Sequence, residues 1–215
     1  YLTTMAQEQQ EINPQKTPIR SKFNRLVVIS GVSGCGKDYL IKRSLTPDLN
    51  PNIKLFPFGE LLYQQLRLCS TNFCSSVLDR DQVKDSFTQD QISVQIAQVA
   101  QNIVQEQPGL INTHLVYRQR DSLIANPTVI ESLNPRNIIF ISANPNNIYE
   151  WRKMSSRKRD VESVDYISFF QNVERDISTR FAEYLGSGFL EIKNSPAPDS
   201  ISNNVTLLKL IISKI

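Results

Sequence analysis

Histidine is almost absent from this 215-residue chain: His114 stands alone. Cysteine is scarce too. Cys35, Cys69 and Cys74 fall in no CxxC or Cys/His spacing, which argues against a zinc site, and an odd count cannot pair completely. Reduced thiols in a cytoplasmic protein are the expectation. No apolar run approaches the ~18 residues of a membrane span, and no signal-peptide pattern opens the chain, so no membrane is expected among its partners. Charge of one sign is also lacking. A net charge of +3 is too small to argue for a nucleic-acid surface, so any positive charge that matters must be concentrated locally. What remains is ordinary globular composition, 40% hydrophobic and 21% charged, and a length that suits one α/β domain with a sizeable core.

Residues 1–22 are polar and Gln-rich without a sustained period and read as a tail, with Met5 as a candidate natural start. Residues 23–215 read as one domain. "RLVVIS" (25–30) is a short β-branched run ended by glycine, the mark of a buried parallel strand. Four more candidates follow at 53–58, 109–114, 137–143 and 188–194. Helical segments are expected at 38–44, 59–69, 90–105, 145–152, 164–185 and 205–212. Strands alternating with helices imply a parallel sheet covered on both faces, with ligands at the carboxyl ends of the strands.

The strongest signal follows the first strand. Gly31, Val32, Ser33, Gly34, Cys35, Gly36 and Lys37 fit the phosphate-loop spacing G-x-x-x-x-G-K, with Asp38 and Tyr39 beginning the next helix. Glycines let successive backbone N–H groups turn inward around phosphate oxygens, and the helix adds its positive dipole end. Lys37 reaches the outer phosphates as a point charge. Asp38 stands where a Ser or Thr usually holds magnesium. It can hold Mg²⁺ itself through carboxylate oxygen, or turn aside and favour the helix N-terminus.

Phosphoryl transfer is mostly positioning and charge neutralisation, so cations are needed beyond the loop lysine. Arg80 and Lys84 lie in "DRDQVKD". Arg118 and Arg120 lie past strand three, four and six residues after His114. Arg152, Lys153, Arg157, Lys158 and Arg159 gather in "WRKMSSRKRD", with Arg175 on the following helix. The run at 152–159 reads either as a lid closing over nucleotide or as a solvated, phosphate-binding patch.

Taken together these pieces resemble the archaeal-type adenylate kinases, P-loop nucleoside monophosphate kinases, from about Arg25 to the C-terminus. The pattern includes Phe58-Gly59-Glu60 after strand two; Arg80, Asp81 and Lys84; Gln95 on a long helix; Ile111-Asn112-Thr113-His114 with Arg118; Arg157-Lys158-Arg159; Arg175; and Gly186-Ser187. The resemblance implies a P-loop NTPase three-layer α/β/α fold with a five-stranded parallel sheet. It implies an acceptor-binding segment near 59–105 and a lid near 152–165. ATP with Mg²⁺ would sit on residues 31–39, the base near 194–199, with Asp38 on the metal. A nucleoside monophosphate would be held by Glu60, Arg80, Lys84, Gln95, His114 and Arg118, while Lys37, Arg118, Arg157, Arg159 and Arg175 serve catalysis. Association into a homo-oligomer is compatible with the family. Asp38 and Asn112 depart from the family pattern, the latter replacing an acid. The two positions are expected to be neighbours, the acid having moved from strand to loop. The alternatives to a kinase are an ATP-binding regulatory module and an RNA-associated ATPase.

Overall fold

The computed structural model describes residues 25–46, 51–69, 87–119, 122–125, 127–155 and 162–215. The elements run β1 (Leu26–Ser30), α1 (Lys37–Ser44), β2 (Lys54–Pro57), α2 (Phe58–Cys69), α3 (Gln89–Gln105), β3 (Gly109–Asn112), β4 (Val116–Gln119), β5 (Ser122–Ala125), α4 (Pro127–Leu133), β6 (Asn137–Ala143), α5 (Pro145–Met154), α6 (Val164–Leu185), β7 (Gly188–Asn194) and α7 (Pro198–Ile212). β2, β3, β1, β6 and β7 form, in that order, one five-stranded sheet, and every neighbouring pair is parallel. The expected three-layer arrangement is therefore present.

β1 is buried at every position, as a central strand covered by helices on both faces must be. Its side chains alternate between two cores, because successive Cβ atoms point to opposite faces. Leu26 and Val28 join Phe56, Ile111 and Ile138 under α2, α3 and α4, while Val27 and Ile29 join Leu110, Ile139 and Ile141 under α1, α5 and α7. The chain leaves β1 for β2 on one side of the sheet, and after β3 it crosses over to β6 and β7 on the other. The turn after β1 thus sits at the topological switch point, where open α/β sheets bind ligands.

Local chemistry explains most boundaries. α3 starts with a capping box in which Thr88 and Gln91 satisfy each other's backbone N–H groups. α5 follows Asn144 as N-cap with Pro145 in the first turn. α6 is capped by Ser163 and ends at Gly186, whose φ of 63° suits glycine in a left-handed C-cap.

Some boundaries differ from the sequence reading. β3 ends at Asn112, and Val116–Gln119 pairs antiparallel with Ser122–Ala125 as β4 and β5, with Arg118 opposite Leu123. The intervening sequence, Arg120-Asp121, carries no glycine to signal such a pair in advance. α4 was not anticipated either, being only seven residues long. α7 begins at Pro198 rather than near 205, because its polar first turns carry no apolar period.

Candidate active site

The loop from Gly31 to Gly36 joins β1 to α1 at the carboxyl edge of the sheet. Gly31, Gly34 and Gly36 have φ of 143°, 89° and 90°, a region that side chains other than glycine rarely occupy. Two of them also face crowded surroundings. A Cβ on Gly31 would run into the Ile141 carbonyl, and one on Gly36 into the Asn194 side chain. The path is fixed further by backbone bonds from Cys35 N–H to the Val32 carbonyl and from Leu40 N–H to the Gly36 carbonyl. Asn194, at the end of β7, donates Nδ2 to the Cys35 carbonyl at 2.9 Å from beneath the loop. Burial pushes the Cys35 thiol up, so it stays neutral and packs as a small apolar group.

Lys37 is buried and folds back on its own loop, donating Nζ to the carbonyls of Gly31 and Val32. Asp38, exposed on the first turn of α1, accepts a 2.6 Å hydrogen bond from Asn112 Nδ2 at the end of β3. The expected neighbourhood of these two positions is thus observed. Asp38 faces the adjacent strand end and is not the N-cap of α1, which is Gly36.

Beneath the loop lies a residue the sequence reading missed. Glu174 of α6 is completely buried, and its Oε1 gathers three donors: Ser30 Oγ at 2.6 Å, the Gly31 N–H at 3.1 Å and the Leu115 N–H at 3.2 Å. His114 Nδ1 stands 3.7 Å from the same oxygen, with its ring partly exposed. Burial alone would raise the carboxyl, but the His114 contact, the Lys37 charge and the Ser30 hydroxyl outweigh it and hold Glu174 below the usual carboxylate range. A signal for Glu174 did exist: Ile167, Glu174, Ser178, Ala182 and Leu185 mark the buried stripe of α6 at helical spacing, and a charged residue stands in its middle.

Arg152, the first cation of the 152–159 run that reads as either a lid or a solvated patch, is buried. Its Nε donates to the Ser33 carbonyl at 2.9 Å and its Nη1 pairs with Glu162 at 2.8 Å. Lys153 pairs instead with Glu150 and lies over the Tyr149 ring. Gln171 holds the end of β6 through both backbone groups of Ala143.

The remaining expected residues are more dispersed. Tyr39 is exposed with Arg43 stacked over its ring, and Glu60 is exposed in the first turn of α2. Gln95 Oε1 accepts from Gln65 Nε2 and the Cys69 thiol, joining α3 to α2. Arg175 is partly exposed beside Asp176. Arg118 occupies β4, and its side chain lies outside the description. Arg80, Lys84, Arg157 and Arg159 lie outside the described residues. No described helix is long and apolar enough to cross a membrane.

A parallel sheet with a glycine cradle and lysine at its switch point defines a P-loop nucleotide-binding class. A family model described as an AAA domain matches residues 30–168. The chain is 29% identical over 197 residues to the adenylate kinase of Thermococcus kodakarensis, covering 88% of this chain and 97% of that one. It is 27% identical over 179 residues to the adenylate kinase of Methanococcus aeolicus, covering 80% and 90%. In fold it is similar to shikimate kinase from Bacteroides thetaiotaomicron, with TM-score 0.54 and 11% identity over 87% of this chain and 97% of that one. The chain belongs to the matched AAA-domain family, as a P-loop kinase of the adenylate kinase-like group.

Proposed function

We propose that this kinase transfers the terminal phosphoryl group of ATP to a nucleoside monophosphate. The P–O bond to the leaving ADP breaks as an acceptor phosphate oxygen bonds to the same phosphorus, giving ADP and a nucleoside diphosphate. The observation that carries this reading is the contact between Asp38 of the donor loop and Asn112 of the neighbouring strand. It brings the anion cradle and the 112–118 segment edge to edge, as an in-line meeting of two phosphates requires.

The residues fit the groups this chemistry needs. The crowded positive-φ glycines leave backbone, not side chains, lining the loop, which suits close approach of phosphate oxygens. Lys37 is already held at the cradle, and an arriving phosphate would compete with the Gly31 and Val32 carbonyls for its ammonium. Asp38 supplies an exposed oxygen donor of the hard type that Mg²⁺ prefers, and would hold that ion. Magnesium, when bound, neutralises charge on the phosphates. Arg118, Arg157, Arg159 and Arg175 are assigned to the transferring group. Glu60, Arg80, Lys84, Gln95 and His114 are assigned to the acceptor, within a segment spanning about 59–105 and the end of β3, and a lid of about 152–165 would close the site. The burial of Arg152 removes one cation from the basic run, which weakens the reading of that run as an RNA-binding patch.

The test is ADP release from Mg-ATP, screened across ribo- and deoxynucleoside monophosphates. Release that rises at least tenfold with one acceptor, and is lost in Lys37→Ala, supports the reading. Binding of ATP without acceptor-dependent release would identify a nucleotide-binding module instead.

A further inference from the structure

Glu174 does more than fill a buried position. One oxygen receives three donors from two backbone segments: Ser30 Oγ and the Gly31 amide, where β1 runs into the phosphate loop, and the amide following His114, at Leu115. Its second oxygen, Oε2, is equally buried and has no hydrogen-bond partner among the described residues. A buried carboxylate that remains ionised with one oxygen unsatisfied is costly in a purely structural role. Such groups concentrate where charge is put to use.

We propose that Glu174 is a positioning residue that couples the donor cradle to the acceptor side. This rests on the reading of residues 31–38 as the ATP site and of 112–118 as facing the acceptor. Both Gly31 and Leu115 are tied to a single atom on a long helix, so displacement of the loop displaces the segment bearing His114 and Arg118. Lys37, His114 and the Cys35 thiol are the titratable groups whose electrostatics are linked to Glu174, and of these Lys37 is the one expected to meet phosphate. In the ligand-free loop, the negative charge of Glu174 helps retain the ammonium among the Gly31 and Val32 carbonyls. Removing that charge favours anion binding while loosening the tie to Leu115. A residue needed only for folding would not separate those two effects.

Amide hydrogen exchange by NMR and steady-state kinetics on Glu174→Gln test the proposal. In the free variant, exchange at Gly31 and Leu115 should accelerate together. In the wild type, a non-hydrolysable ATP analogue should slow exchange at Leu115, and in the variant that response should be lost although the analogue still binds at least as tightly. The kcat should fall by about tenfold to a hundredfold, as for a misplaced reacting group, without a rise in KM for ATP. Should Glu174→Gln fail to fold, Ser30→Ala, which removes one donor and keeps the carboxylate, should weaken the same Leu115 response. An unchanged Leu115 response, or acceleration at only one amide, overturns the proposal, as does a kcat loss matched by lost ATP affinity. If the wild type binds nucleotide but transfers no phosphate, the proposed function fails while the exchange measurements still decide the coupling.

Discussion

Asn112 Nδ2 donates to Asp38 Oδ1 at 2.6 Å, joining the end of β3 to the first turn of α1. The pair carries a single negative charge across two positions. It stands beside the phosphate loop, where a hydroxyl beside a strand-borne acid would carry the same net charge.

That relationship makes an asymmetric prediction. Asp38→Asn should abolish Mg²⁺-dependent turnover, because no carboxylate then remains in the pair. Asn112→Asp should set two carboxylates against each other and lower stability by roughly 1 kcal/mol or less in the absence of Mg²⁺, since Asp38 is exposed. Added Mg²⁺ should raise the melting temperature of Asn112→Asp more than that of the wild type. Turnover unchanged in Asp38→Asn would defeat the assignment of the metal to this residue.

Glycine substitutions separate the loop from the rest of the fold. Gly36→Ala combines φ of 90° with a collision against Asn194 and should cost about 1–3 kcal/mol and strongly weaken ATP binding. Gly59→Ala, on α2 with open space around the new methyl group, should instead stabilise by about 0.5–1 kcal/mol. Urea unfolding with ATP titration distinguishes the two.

Acid stability should report Glu174. Its carboxyl lies below the usual range in the folded chain, so its contribution is present above the unfolded value of about 4.3 and is lost as pH falls through the lower folded value. The stability difference between wild type and Glu174→Gln should therefore narrow below about pH 4. A difference that widens in acid would contradict the direction of the shift.

Arg152 links the phosphate loop to both flanks of the basic run, through Ser33 and Glu162. Arg152→Ala leaves Glu162, itself largely covered, without that partner and should cost about 1–3 kcal/mol. Arg152→Lys should recover little of it, because one ammonium cannot reproduce the two-directional fork. Thermal unfolding of the two variants side by side is the check.

Most of the fold was legible because its signals are local and periodic. β1, β6 and β7 are continuous or alternating apolar runs, and α6 matched its expected bounds because a serine cap and Gly186 punctuate a clear helical stripe. The β4–β5 pairing was not legible, since Arg120-Asp121 carries no glycine to signal it. The loop glycines and Lys37 were readable because backbone geometry dictates residue type there. Glu174 and Arg152 were harder to read. The helical stripe marks Glu174 as buried, but its bonds to Ser30 and Gly31, like that of Arg152 to Ser33, join residues more than a hundred positions apart, and contacts of that kind are set by tertiary packing, not by neighbours in the chain.

The fate of the transferred phosphorus tests the central claim most directly. Following Mg-ATP and a nucleoside monophosphate by ³¹P NMR should show the acceptor's new β-phosphate growing in step with ADP, with no inorganic phosphate beyond the protein-free control. Inorganic phosphate accumulating in place of the diphosphate, or ATP left intact with every acceptor, would contradict it.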